Sequence, residues 1–328
     1  MKSWITKSFL VALALLLTSE FITRVLFAER MSGRFEYGYH PTAGFVEKIG
    51  TLYLVKSGGR RFFDQKLSIQ RPTETFRAFV IGDSVARGGN PEACYGGQLA
   101  KELRLRGFQA ESANMALPGY GGHRKLVVLR QALNYQPSLV ILHVGNSNEY
   151  EDEREYKRSE EFKTWHPKNW LMKIQVVRRL YEVKTEKVYW RWLPQAIRNQ
   201  RLASDKDAEV AASINPEKLK QWDERVKRFT SESVALAREK HVPILLVSQA
   251  TRLKRPDGTA YLDDQGMDQL ANSLVGDGVY HLSMKEALIR AGMTNDFMDS
   301  AHMNPPAHTA MGKAIADLVQ EKQLVPAK

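Results

Sequence analysis

Apolar and polar positions change period several times along this chain, and each change marks an element. Ala78-Phe79-Val80-Ile81 is an unbroken apolar run that reads as a buried parallel strand ending at Gly82. Residues 93–106 then carry helical spacing, with Leu99 and Leu103 on one face, Lys101, Arg104 and Arg106 on the other, and a stop at Gly107. Residues 108–115 predict a second strand. Residues 123–135 predict an amphipathic helix through Leu126, Leu129 and Leu133. Leu139–Val144, introduced by Pro137, is a third strand of the buried type. A helix at about 216–240 leads to a fourth strand at 243–247. Residues 279–282 are a candidate fifth strand, and a last helix covers about 306–322. Strands alternating with helices predict a parallel sheet with right-handed crossovers and helices on both faces.

The amino terminus follows another pattern. Lys2 and Lys7 lead into an uncharged run at 8–19, the plan of a secretory signal. That run is shorter than the about 20 residues a spanning helix needs. Glu20 and Arg24, however, lie four apart, where a helix pairs them, and 25–28 are apolar again. Residues 1–28 are therefore expected to form an uncleaved signal anchor, with a cleaved signal peptide as the alternative; no small-x-small cleavage site stands out. Basic residues kept inside would put the body of the protein outside the cytoplasm. In residues 29–76, Tyr37-Gly38-Tyr39-His40-Pro41 and Gly58-Gly59 punctuate short β-like runs such as 51–55. They predict an irregular β-rich lead-in without visible chemistry.

Composition narrows the choices. With 328 residues, 43% hydrophobic and 26% charged, the chain is long enough for one large domain with an insertion, or for two modest ones. Cys94 is the single cysteine, which excludes an intrachain disulfide framework and a cysteine-rich zinc site. No metal-binding motif is present, and Gly88-Gly89 and Gly121-Gly122 fit no phosphate-loop or dinucleotide pattern, so no metal or cofactor is expected. The net charge is +11, and its distribution matters more than its sum: residues 154–201 hold 13 Lys and Arg against 5 Glu. Four of the six tryptophans, Trp165, Trp170, Trp190 and Trp192, lie in the same stretch, within a helical insertion expected at about 151–222. Residues 169–180 can form a helix with cationic and apolar sides. Three readings fit the insertion: a lid or substrate-binding wall, a membrane-surface patch, or a solvated helical pair. Nucleic acid is not an expected partner, since no binding module accompanies the charge.

Candidate chemistry sits at the strand ends, where open α/β sheets bind ligands. The first three core strands run into Gly82-Asp83-Ser84, into Asn114 followed by Gly119, and into Gly145 followed by Asn148-Glu149. Near the carboxyl terminus comes Asp299-Ser300-Ala301-His302. In order and approximate spacing these resemble the four sequence blocks of the SGNH (GDSL) hydrolase superfamily, over residues 77–150 and 240–322. The resemblance implies a flavodoxin-like three-layer α/β/α sandwich with a central parallel sheet at 77–328, and a serine esterase or acyl-transfer mechanism. Ser84 would be the nucleophile, His302 its general base, and Asp299 the group that holds the imidazole. The backbone N–H groups of Ser84 and Gly119, with the Asn148 amide, would form the oxyanion hole. One residue more than in the family pattern separates Gly145 from Asn148, so Asn146 competes for that role; Gly121 or Gly122 competes with Gly119. The chemistry itself needs these residue types, because a serine hydroxyl is a poor nucleophile without a base and the tetrahedral oxyanion needs fixed donors.

Other polar residues near these blocks have blander readings. Asp83 is expected to organise its loop, His143 to be a satisfied core histidine, and His308 to cap or pack on the last helix. The expected protein is thus a membrane-anchored, extracytoplasmic serine hydrolase acting on an acyl ester of an envelope glycan or lipid. An O-acyltransferase, or a non-catalytic envelope assembly protein on the same scaffold, is the alternative.

Overall fold

The computed structural model describes residues 2–26, 44–57, 60–146, 148–153, 156–157, 165–171, 174–177, 180, 194–197, 199 and 215–325. The segment Tyr37–Pro41 with His40, the pair Gly58 and Gly59, and Trp190 and Trp192 of the insertion lie outside the described residues.

Five parallel strands form the central sheet: β4 (Phe76–Ile81), β5 (Ala110–Asn114), β6 (Leu139–Val144), β7 (Ile244–Ser248) and β10 (Val279–Ser283). Their order in space is β5-β4-β6-β7-β10. Among these five strands that is the 2-1-3-4-5 order of flavodoxin-like sheets, with a switch point beside the first strand. Alternate side chains of each strand go to opposite faces. Phe79, Ile81, Val140, Leu142 and Leu246 join one core with Leu126 and Leu129 of helix Gly122–Ala132 and with Val226 and Phe229 of helix Pro216–Glu239. Val80, Ile141, Leu245 and Val247 join the other with Leu99 and Leu103 of helix Tyr95–Leu105 and with Met311, Ile315 and Val319 of helix Pro305–Glu321. Each such burial contributes about 1.5–3 kcal/mol, so the two cores give three layers.

Two smaller sheets brace this body. Strands β1 (Phe45–Lys48), β2 (Thr51–Ser57) and β3 (Arg60–Ser68) form an antiparallel meander. Gln65 of β3 binds both backbone groups of Asn114, donating at 2.7 Å and accepting at 2.8 Å. The meander is thereby tied to the loop that follows β5. A hairpin of β8 (Thr251–Lys254) and β9 (Ala260–Asp263) turns at Asp257-Gly258, where Gly258 has φ 84°. The Arg252 N–H of this hairpin donates to the Ser300 carbonyl at 2.6 Å.

The first helix covers Lys2–Leu26. Trp4–Leu26 has a mean hydropathy of 1.9 and is long and apolar enough to cross a membrane, a test that a signal sequence also passes. Glu20 pairs with Arg24 at 2.8 Å and accepts the N–H of Val176 at 3.0 Å, so this end of the helix meets the insertion. Within the insertion, Pro167–Leu171 is helical, but Ile174 lies in a bend whose N–H returns to Leu171. The described residues of 169–180 are helical on either side of that bend, within Pro167–Leu171 and at 175–177.

Candidate active site

The Gly82-Asp83-Ser84 turn leaves β4 at the carboxyl edge of the sheet. Gly82 is required by close approach: a Cβ there would lie 2.5 Å from the Ala86 Cβ and 2.8 Å from the His143 Cβ. Asp83 starts the short helix Ser84–Arg87 and accepts the Val85 N–H at 2.9 Å. Ser84 is thus the first residue of that helix, with its side chain half-buried at the edge of the crevice. Asp83 is fully buried, as a loop-organising acid rather than a surface one. Burial opposes its ionisation, but the Lys125 ammonium, His143 and the Val85 N–H together outweigh that and hold the carboxyl at about 2.

The other half of the site comes from a tight loop between residues 296 and 304. An antiparallel bridge joins Phe297 to Met303, and Met298 donates its N–H to the His302 carbonyl at 2.8 Å. At the tip, Asp299 Oδ1 accepts the N–H groups of Ala301 and His302, each at 2.8 Å. That local turn leaves Asp299 Oδ2 to face His302 Nδ1 at 2.7 Å, while His302 Nε2 lies 2.8 Å from Ser84 Oγ. Burial resists the Asp299 charge, and the two N–H groups with the imidazole overcome it, leaving this carboxyl at about 2. A serine 218 residues distant from its histidine is in this way joined to a carboxylate by two short hydrogen bonds.

The remaining strand-end residues have distinct hydrogen-bond roles of their own. Asn114 braces the loops: its amide donates to the Arg87 carbonyl at 2.7 Å and its Oδ1 accepts the Ala116 N–H at 3.0 Å. Gly119 has φ 76°, a left-handed conformation that favours glycine, and its carbonyl accepts from the Arg124 guanidinium. The Gly122 N–H is committed to Glu149 Oε1 at 2.7 Å, and the Asn146 amide donates to Asp223 at 3.1 Å. Asn148 opens the turn that leads to Glu149, where Asp152 donates its N–H to the Asn148 carbonyl at 3.2 Å.

Sequence reasoning missed a buried ionic network under the Gly119–Gly122 loop. Asp152 accepts the N–H of His123 at 3.0 Å, of Arg124 at 3.2 Å, and the Arg124 Nε at 2.9 Å. Arg225 reaches both Glu149 and Asp152, at 3.3 and 3.1 Å. These carboxylates occupy the amino end of helix Gly122–Ala132, where backbone N–H groups lack intrahelical partners. The one available signal was the three-residue spacing of Glu149 and Asp152, which puts both acids on one helical face.

His143 and His308 are both buried, and neither acts as the partner of Ser84. His143 is a fully buried core histidine, as expected, with Nε2 3.8 Å from Asp83 Oδ1. Burial pushes both imidazoles down to about 4, against about 6.5 in an unfolded chain. Between those values the unfolded chain binds more protons, so both groups lower stability as pH falls from about 6.5 through 4. Glu149, pushed up to about 7 by burial and by Asp152, has the opposite sign and lowers stability as pH rises through that value. Two groups oppose one. The melting temperature of the full chain is expected to fall from pH 6.5 to 4.5, and more steeply below, where Glu149 no longer compensates. Asp83 and Asp299, held at about 2, add to the loss there. Thermal unfolding across this range checks the slope, which His308→Leu should flatten; an unchanged slope in that variant contradicts the assignment.

No protein-family model matches the chain, and no curated protein matches it. Solved structures do. The acetyl xylan esterase AlAXEase is 12% identical with a TM-score of 0.44, over 74% of this chain and 100% of that one. The psychrotrophic esterase EstA from Pseudoalteromonas sp. is 12% identical with a TM-score of 0.41, over 75% and 98%. A member of the lipolytic protein G-D-S-L family from Veillonella parvula is 11% identical with a TM-score of 0.39, over 75% and 97%. The solved structures that this chain resembles thus include esterases and G-D-S-L proteins.

Proposed function

We propose that this protein is a serine hydrolase of SGNH type that cleaves or transfers an acyl ester. The observation that carries the reading is the hydrogen-bonded chain from Asp299 through His302 to Ser84. In it, Ser84 Oγ attacks the ester carbonyl carbon while His302 Nε2 takes the hydroxyl proton. Asp299 Oδ2 accepts from the protonated Nδ1, which leaves Nε2 free to act as the base. The tetrahedral oxyanion is met by the N–H groups of Ser84 and Gly119 and by the Asn148 amide. Asn148 is favoured over Asn146 because an acid, Glu149, follows it, as in the third block of the family it resembles. Gly119 is favoured over Gly122 because the Gly122 N–H is held by Glu149. Collapse expels the alcohol, which takes the proton from His302, and water or an acceptor hydroxyl then releases the acyl group from Ser84.

The chemistry requires no metal or cofactor. The first helix anchors the protein in a membrane, and its amino-terminal lysines keep that end in the cytoplasm. The active site then faces the periplasmic side, where acyl esters of envelope glycans or lipids are the substrate class. The cationic insertion, which touches the anchor through Val176 and Glu20, is a second contact with the membrane surface.

A fluorophosphonate probe tests the reading directly. The wild type is expected to label on Ser84, and Ser84→Ala to abolish the label without loss of fold. A folded wild type that stays unlabelled would favour a non-catalytic envelope protein instead.

A further inference from the structure

We infer that Lys125 is a positioning residue for Ser84, fixing the nucleophile's turn by neutralising Asp83 from beneath. The inference rests on Ser84 being the nucleophile proposed above. Lys125 belongs to helix Gly122–Ala132, is 4% exposed, and donates to Asp83 Oδ2 at 3.0 Å and to the His143 carbonyl at 3.1 Å. An ammonium taken out of water costs several kcal/mol unless it is paired and hydrogen-bonded. Both conditions are met here. The same nitrogen joins three strand-end regions: the turn after β4, the end of β6, and the helix that follows the Gly119 loop.

The consequence for Ser84 is local. Asp83 uses one oxygen to hold the Val85 N–H at 2.9 Å and the other to meet Lys125, so its carboxylate sets the first turn of the helix that Ser84 begins. The groups facing Asp83 are few. Lys125 comes from one helix, His143 approaches from β6 with Nε2 at 3.8 Å from Oδ1, and Tyr95 faces it from helix Tyr95–Leu105. The His143 ring stands beyond hydrogen-bond reach of that carboxylate, whereas the Lys125 ammonium is in contact at 3.0 Å, so the ring does not stand in for it. Removing Lys125 therefore leaves a buried carboxylate next to the nucleophile without its hydrogen-bonded cation. The turn must then move to admit water or a proton, and the 2.8 Å contact between Ser84 and His302 moves with it. Displacements of about 1 Å at a reacting group cost on the order of 100-fold in rate.

The test uses the full chain in detergent micelles, p-nitrophenyl acetate as substrate, and fluorophosphonate titration to count reactive sites. Lys125→Met is expected to lower kcat per titrated site by about 30- to 100-fold with KM within about twofold. Asp83→Asn combined with Lys125→Met removes both charges, and should run at least about tenfold faster than Lys125→Met alone. A merely structural lysine would lower the melting temperature and the number of titrated sites but not the rate per site. The inference is overturned if Lys125→Met keeps kcat per site within about twofold of wild type, or if the double variant is no faster than Lys125→Met. Should Lys125→Met not fold, Asp83→Asn alone, which strands the lysine, must be slower than the double variant; equal rates overturn the inference. A wild type whose Ser84 neither titrates nor turns over overturns the hydrolase reading itself, an outcome distinct from all of these.

Discussion

Ser84→Ala is expected to lower kcat for p-nitrophenyl acetate by about a million-fold, and His302→Ala by nearly as much, with their combination scarcely worse than either alone. The non-additivity follows from the geometry. Ser84 Oγ and His302 Nε2 share one hydrogen bond at 2.8 Å, and the proton that leaves the first must arrive on the second. Once either is gone, the other has no partner with which to act, so the second deletion removes nothing further. What survives is the residual catalysis of the oxyanion donors and of binding, about 1,000- to 10,000-fold over water. Stopped assays on the two single variants and the double variant measure this. Losses that multiply across the two sites would mean that they act independently, and the shared proton transfer would be wrong.

Asp299→Asn is the second large effect, expected to cost about a thousandfold in kcat with the melting temperature nearly unchanged. Asparagine keeps an oxygen that can accept the N–H groups of Ala301 and His302, so the loop tip survives. Its amide nitrogen then faces His302 Nδ1 in place of Oδ2. A donor in that position forces the imidazole proton onto Nε2, the atom that must accept from Ser84. The loss is thus one of tautomer rather than of fold. The carboxyl of Asp299 is about half exposed, which is why the expected loss is below the about 10,000-fold known for a buried counterpart. Steady-state kinetics with a parallel thermal melt separates the two causes; a rate within about threefold of wild type would remove Asp299 from the mechanism.

Much of this was visible in one dimension because it depends on near neighbours. The three central strands β4, β6 and β7 announce themselves as short, mostly apolar runs, since strands covered on both faces have no polar side to alternate with, whereas the edge strand β5 reads Ala-Glu-Ser-Ala-Asn. Asp299 and His302 are three residues apart, and a single local turn is enough to aim one at the other. The hairpin at 251–263 was also legible, through Asp257-Gly258, yet it went unread because the flanking runs carry charges on exposed positions. Its purpose, bracing the Ser300 carbonyl beside the histidine, belongs to the tertiary structure.

Charged residues divide the two levels most clearly. Arg124, Lys125, Glu149 and Asp152 read in sequence like any solvated face of a helix, and all four are buried. Nothing in their spacing says so, because an ion pair forms between residues that the fold brings together from different segments. Asp83 and Lys125 are 42 residues apart, and Arg124 and Asp152 are 28 apart. Sequence alone therefore determined the order of the core strands and their main flanking helices, the residue types at each strand end and the apolar first helix, all properties of contiguous stretches. Only the tertiary structure decided which of Asn146 and Asn148 has its amide engaged by Asp223, that the meander grips Asn114 through Gln65, and that a buried lysine underlies the serine turn. Those contacts join distant segments in a medium of low polarity, where a partner's position fixes the energy of a charge and residue type does not.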